Sequence, residues 1–157
     1  MPFLLAACLV VAQAPELLDR TIAIVSGHVI TLSDARTVLA LGLVEGGEVD
    51  ADVTQRLVDR QLMLIEADRY EPPAPPVERV EARLAEVRAR AGGDDALAGV
   101  LARGGFTEGR LRAWVRDDLR IAAYLQQRFV ADERRADLIA DWLSDLRRRA
   151  EVVILPQ

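Results

Sequence analysis

The sequence predicts a mainly helical domain closed by a small β-sheet, and three observations predict it. Thr21 to Val25 and His28 to Thr31 are rich in β-branched residues and flank Ser26-Gly27, a dipeptide typical of a tight hairpin turn. Apolar residues then recur at intervals of three and four, the helical period. Val152 to Leu155 is one more apolar, β-branched run. Because such short strands are unstable separately, we expect the N-terminal hairpin and the C-terminal strand to share one sheet.

The helices between these strands are delimited by capping residues, glycines and prolines. Ser33 is predicted to cap the first helix, with Asp34 in its first turn, and Gly46-Gly47 to follow its end. The proline-rich run from Glu71 to Pro76 predicts an extended connector. Six helices are expected, over about residues 33–43, 50–69, 76–91, 94–103, 107–129 and 132–149, where the second begins at Asp50 or Asp52 and the fourth at Asp94 or Asp95. The second contains Leu62 to Ile65, a run without a polar residue, and is expected to be central and buried.

Composition favours a single globular domain. The chain has 157 residues, of which 51% are hydrophobic, 29% charged and 4% aromatic, and its formal net charge is -5. That length suits one domain, which we place at residues 15–157. All the basic residues are Arg, yet the acidic balance is unlike that of a general nucleic-acid binder, which needs a basic surface to neutralise phosphates. We therefore expect no nucleic-acid partner.

The first fourteen residues have the pattern of a secretory signal peptide. Residues 3–12 are apolar and uncharged, and Ala12-Gln13-Ala14 has the small residues of a signal-peptidase site. The run is shorter than the ~20 residues of a transmembrane helix, so we expect cleavage after Ala14, export to the periplasm or otherwise out of the cytoplasm, and no transmembrane segment. Two alternatives stay open for the same residues. Leu5-Ala6-Ala7-Cys8 also fits a lipoprotein box with a lipid on Cys8, and the segment also suits a buried N-terminal helix.

Residue types that carry catalysis are scarce. His28 and Cys8 are the single histidine and cysteine, which leaves little for a zinc cluster, a Cys–His pair or a Ser–His–Asp triad. His28 follows the hairpin turn and is expected to be solvated. Asp117 and Asp118 are neighbours on a helix, so their side chains point about 100° apart and do not converge on one substrate. We expect no catalytic residue, no metal and no cofactor.

One stretch resembles a known family. Residues 23–34, Ala-Ile-Val-Ser-Gly-His-Val-Ile-Thr-Leu-Ser-Asp, are similar to the opening signature of SurA-type periplasmic chaperones and extracytoplasmic parvulins, usually Ala-x-Val-Asn-Gly-x-x-Ile-Thr before an acidic residue. Ser26 stands where the family usually has Asn, and His28 where Glu is frequent. The second helix, the Gly105-Phe106-Thr107-Glu108 segment, and the last helix and strand resemble the same family in the same order. The resemblance covers residues 17–155.

The resemblance implies the peptide-binding domain of such a chaperone without its enzyme. Family members carry one or two parvulin isomerase domains before the final helix. In this chain the fifth predicted helix ends and the sixth begins within residues 129–133, which leaves no room for such a domain. The active sites of that family contain a cluster with paired histidines, whereas His28 is the single histidine of this chain. We therefore expect no peptidyl-prolyl isomerase activity.

The function implied by the resemblance is ATP-independent binding of unfolded or extended polypeptides, including outer-membrane proteins, in the periplasm. Phe106, Leu111 and Trp114 lie near the start of the fifth helix and are the candidate residues of an apolar peptide groove, since a chaperone site needs exposed hydrophobic surface. The competing interpretation places such side chains in the core. Two other functions remain alternatives: a degenerate or fragmentary parvulin-type isomerase, and a non-catalytic structural interaction module.

Overall fold

The structure, a computed structural model, describes residues 19–129 and 133–156. Within these residues the chain is mainly helical with a small sheet, as predicted. Its elements in order are β1 Thr21–Val25, β2 His28–Thr31, α1 Leu32–Ala40, α2 Ala51–Tyr70, α3 Val77–Ala91, α4 Asp94–Arg103, α5 Glu108–Arg128, α6 Arg135–Arg149 and β3 Val152–Ile154. The predicted leader over residues 1–14, with Cys8, and the predicted start of the last helix at Asp132 lie outside the described residues.

The predicted closure of the sheet by the last strand is confirmed. The strand order is β2-β1-β3, and both neighbours of β1 run antiparallel to it. Ile24 in β1 lies opposite Val29 on one side and opposite Val153 on the other. Ser26 and Gly27 have φ angles of 46° and 84°, the left-handed pair of a two-residue hairpin turn whose twist matches that of the strands. The sheet thus ties β3 to the first two strands.

The first helix differs from its prediction at both ends. Thr31, rather than Ser33, is the N-cap, because its hydroxyl accepts the N–H of Asp34 at 3.2 Å. The helix also ends earlier than predicted. Gly42 takes a left-handed conformation (φ 61°), and its N–H and the next one turn back to carbonyls of the last helical turn. Gly42 therefore stops the helix before Gly46-Gly47 is reached.

The second helix is central, as its apolar run predicts. Asp50 caps it by accepting the N–H of Val53 at 2.8 Å, and the helix packs against β1, α5 and α6. Leu62 is buried, but the other three residues of the run 62–65 are only half-buried. The expected burial is thus complete at Leu62 and partial at the other three, of which Leu64 and Ile65 border open cavities beside α5 and α6.

The other helices begin and end close to their predicted bounds. Val80, Leu84 and Val87 form the buried stripe of α3. Val77, which its spacing places in the same stripe, is 68% exposed because it opens the helix after the proline connector. Thr107, at the predicted start of the fifth helix, caps α5 through its hydroxyl. α6 packs on α2, and the chain then returns to the sheet as β3.

Candidate functional site

The three candidate peptide-binding residues lie in two different environments. Phe106 and Leu111 are core residues, with 5% and 2% of their surfaces exposed. Trp114 is half-buried at the margin of the core. Leu111 and Val115 are one turn apart on the buried face of α5, and Trp114 stands beside that face. Of the three, Trp114 is the residue that lines an open groove, and a role for any of them in peptide binding stays a prediction.

The open groove beside Trp114 lies where β2, α2 and α5 meet, and we call it the Trp114 groove. Its volume is about 210 Å³. Its lining is apolar at Val29, Ile30, Leu57, Leu64, Ala113 and Trp114, and polar at Asp34, Arg60, Gln61, Arg110 and Asp117. The groove therefore combines an apolar surface with several charged groups, and the pairing of those charges decides what it can bind.

Arg60 holds the indole ring in place. Its Nε donates to the Asp118 carboxylate at 2.7 Å, and its Nη2 donates to the carbonyl oxygen of Trp114 at 3.2 Å. The guanidinium carbon lies 3.5 Å from the centre of the Trp114 ring, where an Arg stacks on the aromatic face while it pairs with a carboxylate. Burial raises the pKa of Asp118, although the Arg60 guanidinium opposes that effect. One face of the ring is therefore already covered by a paired cation.

A second ion pair lies where the groove approaches the start of α1. Asp34 and Arg110 meet at 2.8 Å, and the Asp34 side chain is largely buried in the first turn of the helix, where a carboxylate is favoured by the helix dipole. The Arg110 guanidinium also lies 4.2 Å from the centre of the Phe106 ring. Because both charged groups of the pair are satisfied, the apolar lining is the part of the groove open to a ligand.

Asp19 adds a second carboxylate near the same helix start. Its side chain accepts the N–H of Ser33 at 3.1 Å. Burial by itself would raise the pKa of Asp19, but hydrogen bonds from Thr31, Ser33 and Arg20 outweigh that effect and lower the pKa. The ionised carboxylate therefore helps to hold the start of α1 against the segment that leads into β1.

Sequence reasoning missed the α2 wall of the groove. Residues 57, 60, 61 and 64 recur at helical spacing, and the two polar members, Arg60 and Gln61, interrupt an otherwise apolar stripe. That interruption is the sequence feature from which this wall of the groove could have been predicted. Val29 carried no such signal, because a single exposed apolar residue on a strand is ordinary in a folded protein.

The residues considered for catalysis lie apart. His28 is exposed beside the hairpin turn. Asp118 faces α2, whereas Asp117 lies 3.7 Å from both Arg116 and Arg120, so the two carboxylates diverge. Within residues 19–129 and 133–156, no three His, Cys, Asp or Glu side chains lie close enough together to hold a metal ion.

Comparison with known proteins assigns no family. No protein-family model matches the chain, and no curated protein matches it. In the part of the chain that the structure describes, none of the helices is both long and apolar enough to cross a membrane. The function proposed for the chain therefore depends on the Trp114 groove and on the sequence resemblance of residues 23–34.

Proposed function

We propose that this chain is an ATP-independent chaperone domain that binds extended apolar segments of unfolded polypeptides, such as outer-membrane proteins before their assembly. The observation that carries the proposal is the Trp114 groove, an open and largely apolar surface whose Arg60 and Arg110 are paired within the chain. A surface of that kind favours apolar segments over polar ones. The resemblance to SurA-type chaperones supports the same function.

The edge of the sheet adds backbone hydrogen-bonding groups to the groove. β2 is an outer strand, and Val25 and His28 form the pair that closes its hairpin turn. Because successive residues of an antiparallel ladder bond to opposite sides, the N–H and C=O of Val29 point away from β1. Val29 also lines the groove. A bound segment would therefore extend along β2 and place alternate side chains against the apolar lining, the strand-addition mode of peptide recognition.

Binding of this kind is weak and reversible. Each apolar side chain that the groove removes from water contributes about 2 kcal/mol. Two or three such side chains are set against an association cost of at least about 4 kcal/mol. The small surplus permits a client to dissociate without an energy source, which is the behaviour expected of an ATP-independent chaperone.

The test compares two substitutions on the same face of the sheet. Val29 and Val153 are 54% and 44% exposed, and both lie opposite Ile24, but Val29 lines the groove and Val153 does not. In an aggregation assay, wild type and Val153→Asp should slow the aggregation of an unfolded outer-membrane protein, whereas Val29→Asp should not. Both sites are exposed, so the variants should stay within about 0.5 kcal/mol of wild-type stability.

Two outcomes of that assay would contradict the proposal. Suppression by none of the three proteins would favour a structural interaction module without client binding. Equal suppression by all three would place client binding on a surface other than the Trp114 groove.

We also propose that the domain works in the periplasm after removal of residues 1–14. The support is the apolar, uncharged run of residues 3–12, followed by small residues at positions 12 and 14. N-terminal sequencing of the protein recovered from cells should begin at Pro15, or detect a lipidated Cys8 if the lipoprotein alternative holds. An intact Met1 on cytosolic protein would contradict export.

The domain is further proposed to lack isomerase activity. The short connector over residues 129–133 and the single His28 support this. The protein should leave the cis/trans exchange of an X–Pro test peptide at its spontaneous time of tens to hundreds of seconds. Acceleration that persists through repurification would instead favour the degenerate isomerase.

A further inference from the structure

Three arginines differ from all the others in the chain. Of the twenty basic residues, all Arg, most form an ion pair, a hydrogen bond or a ring contact with a described residue. The side chains of Arg36, Arg79 and Arg103 form none within residues 19–129 and 133–156, although the backbone N–H of Arg79 donates to Pro76. In a chain with net charge -5, where carboxylates outnumber guanidinium groups, cations without a carboxylate need an explanation.

Two of these arginines line the same cavity. Arg36 of α1 and Arg103 in the last turn of α4 border an opening of about 280 Å³ between the two helices, which we call the arginine cleft. Gly104 and Thr37 both line the cleft and lie so close together that a Cβ added to Gly104 would collide with the Thr37 hydroxyl. The two helices are therefore in close contact there. The third arginine, Arg79, lies on α3 and lines neither the cleft nor the Trp114 groove.

The arginine cleft and the Trp114 groove adjoin one middle cavity. A middle cavity of about 360 Å³ shares Arg103 and Gly104 with the cleft. The same cavity shares Asp34 and Arg110 with the groove, and those two groups neutralise each other at 2.8 Å. Along this surface the lining therefore passes from apolar, through a section that holds the Asp34–Arg110 pair and the Asp19 carboxylate, to two cations whose side chains have no described partner.

We propose that groove and cleft recognise one extended polypeptide: an apolar stretch lies in the Trp114 groove, and an acidic side chain a few residues away binds between Arg36 and Arg103. This inference rests on the proposed function and adds a preference to it. Guanidinium groups are planar donors that suit a carboxylate, and charge-assisted hydrogen bonds of this kind are stronger than neutral ones.

The ligand is an acidic side chain rather than the end of a polypeptide. Beyond Arg36 the surface stays open, since a further cavity of about 430 Å³ is lined by Arg36 together with Leu39, Gly47 and Val49. A bound chain can therefore continue past the arginine cleft instead of ending in it. A preference for the acidic peptide would also point to a local site, because the net charge of -5 by itself would make acidic peptides bind less tightly than neutral ones.

The experiment measures fluorescence anisotropy of two labelled peptides that carry the same apolar stretch and differ only by Glu or Gln at one position, with the spacing varied over a short series. At low salt, wild type should bind the best-spaced Glu peptide about fivefold more tightly than its Gln partner. The double variant Arg36→Gln with Arg103→Gln should bind both peptides equally. Arg79→Gln, which removes another exposed arginine, should keep the preference.

Three controls test whether the preference comes from the two arginines: salt, stability and the peptide C-terminus. High salt should abolish the fivefold ratio, because these charges are exposed and screened. The arginines have no described partner, so the double variant should keep the wild-type thermal midpoint; if it unfolds, Arg103→Gln alone should still lose part of the preference. Amidation of the peptide C-terminus should change nothing.

The possible outcomes distinguish the preference for an acidic side chain from the proposed chaperone function on which it rests. If wild type binds neither peptide, the proposed function fails. If wild type binds Glu and Gln peptides equally, or if the double variant retains the preference, the function stands and the inference is overturned. Equal binding of the two peptides that is weakened equally in both by amidation would assign the cleft to a terminal carboxylate and overturn the side-chain assignment.

Discussion

The two tryptophans lie near opposite ends of α5 in unlike surroundings. Trp142 of α6 is 7% exposed, and its ring lies 5.9 Å from that of Tyr124 and 5.5 Å from that of Phe129. Trp114 is half-buried, with the Arg60 guanidinium on one face and the groove beside it. Both residues recur with the apolar positions of their helices, so spacing does not separate them. What packs against each ring decides that one is core and the other lines a surface.

The largest effect is expected where the ring is enclosed. Trp142→Ala would remove a large buried side chain from between two other rings, and the cavity left behind adds to the lost burial. We expect the free energy of unfolding to fall by about 3–5 kcal/mol, measured by urea denaturation. A loss below about 1 kcal/mol would mean that the Trp142 region contributes little to the core.

A slightly smaller effect is expected at β3, which anchors the Trp142 end of the molecule to the sheet. The register and the bonds that flank it make Val153 and Ile24 a hydrogen-bonded pair. Val153→Pro removes that donor, and we expect a loss of roughly 2–4 kcal/mol in thermal unfolding. Ile154→Pro is the control, because the Ile154 N–H faces away from β1 and its loss should cost less. An unchanged midpoint for Val153→Pro would mean that β3 does not hold the sheet together.

At Trp114 the expected effect on stability is smaller and the effect on function larger. Because the ring is half-buried, Trp114→Ala should lower the free energy of unfolding by about 2 kcal/mol, less than the same change at Trp142. The variant should nevertheless lose suppression of client aggregation. Equal stability losses at the two tryptophans, with aggregation suppression intact, would contradict the distinction between them.

The smallest effect concerns pH and belongs to the groove side, where Asp19 holds the start of α1. Its pKa is lowered from 3.8, so the ionised carboxylate stabilises the folded state above that pH. That contribution is lost as the pH falls through the lower folded-state pKa. Asp19→Asn cannot titrate, so the difference in stability between wild type and variant should shrink as the pH falls below about 4. A constant difference across that range, in urea titrations, would show that Asp19 does not stabilise the fold through its charge.

Local signals were sufficient for most element boundaries. Ser26-Gly27 predicts a turn because the left-handed conformations there suit Gly and small polar residues, and Thr107 predicts a helix start because its hydroxyl can accept a backbone N–H. The same kind of signal was misread at α1. Thr31 and Ser33 are both suitable caps, and the sequence alone does not say which hydroxyl the first turn meets.

The sequence by itself determined the helical period, the hairpin and the need of Val152 to Ile154 for a strand partner, because these depend on neighbours along the chain. Only the tertiary structure decided which apolar residues face a groove. Leu111 and Trp114 are three positions apart on one helix, yet the first meets the core and the second meets Arg60. The pairing of the arginines was likewise undecided, because Arg60 and Asp118 are distant in sequence and meet only when α2 packs on α5. Burial and ion pairing depend on elements brought together by the whole fold, and no single segment contains that information.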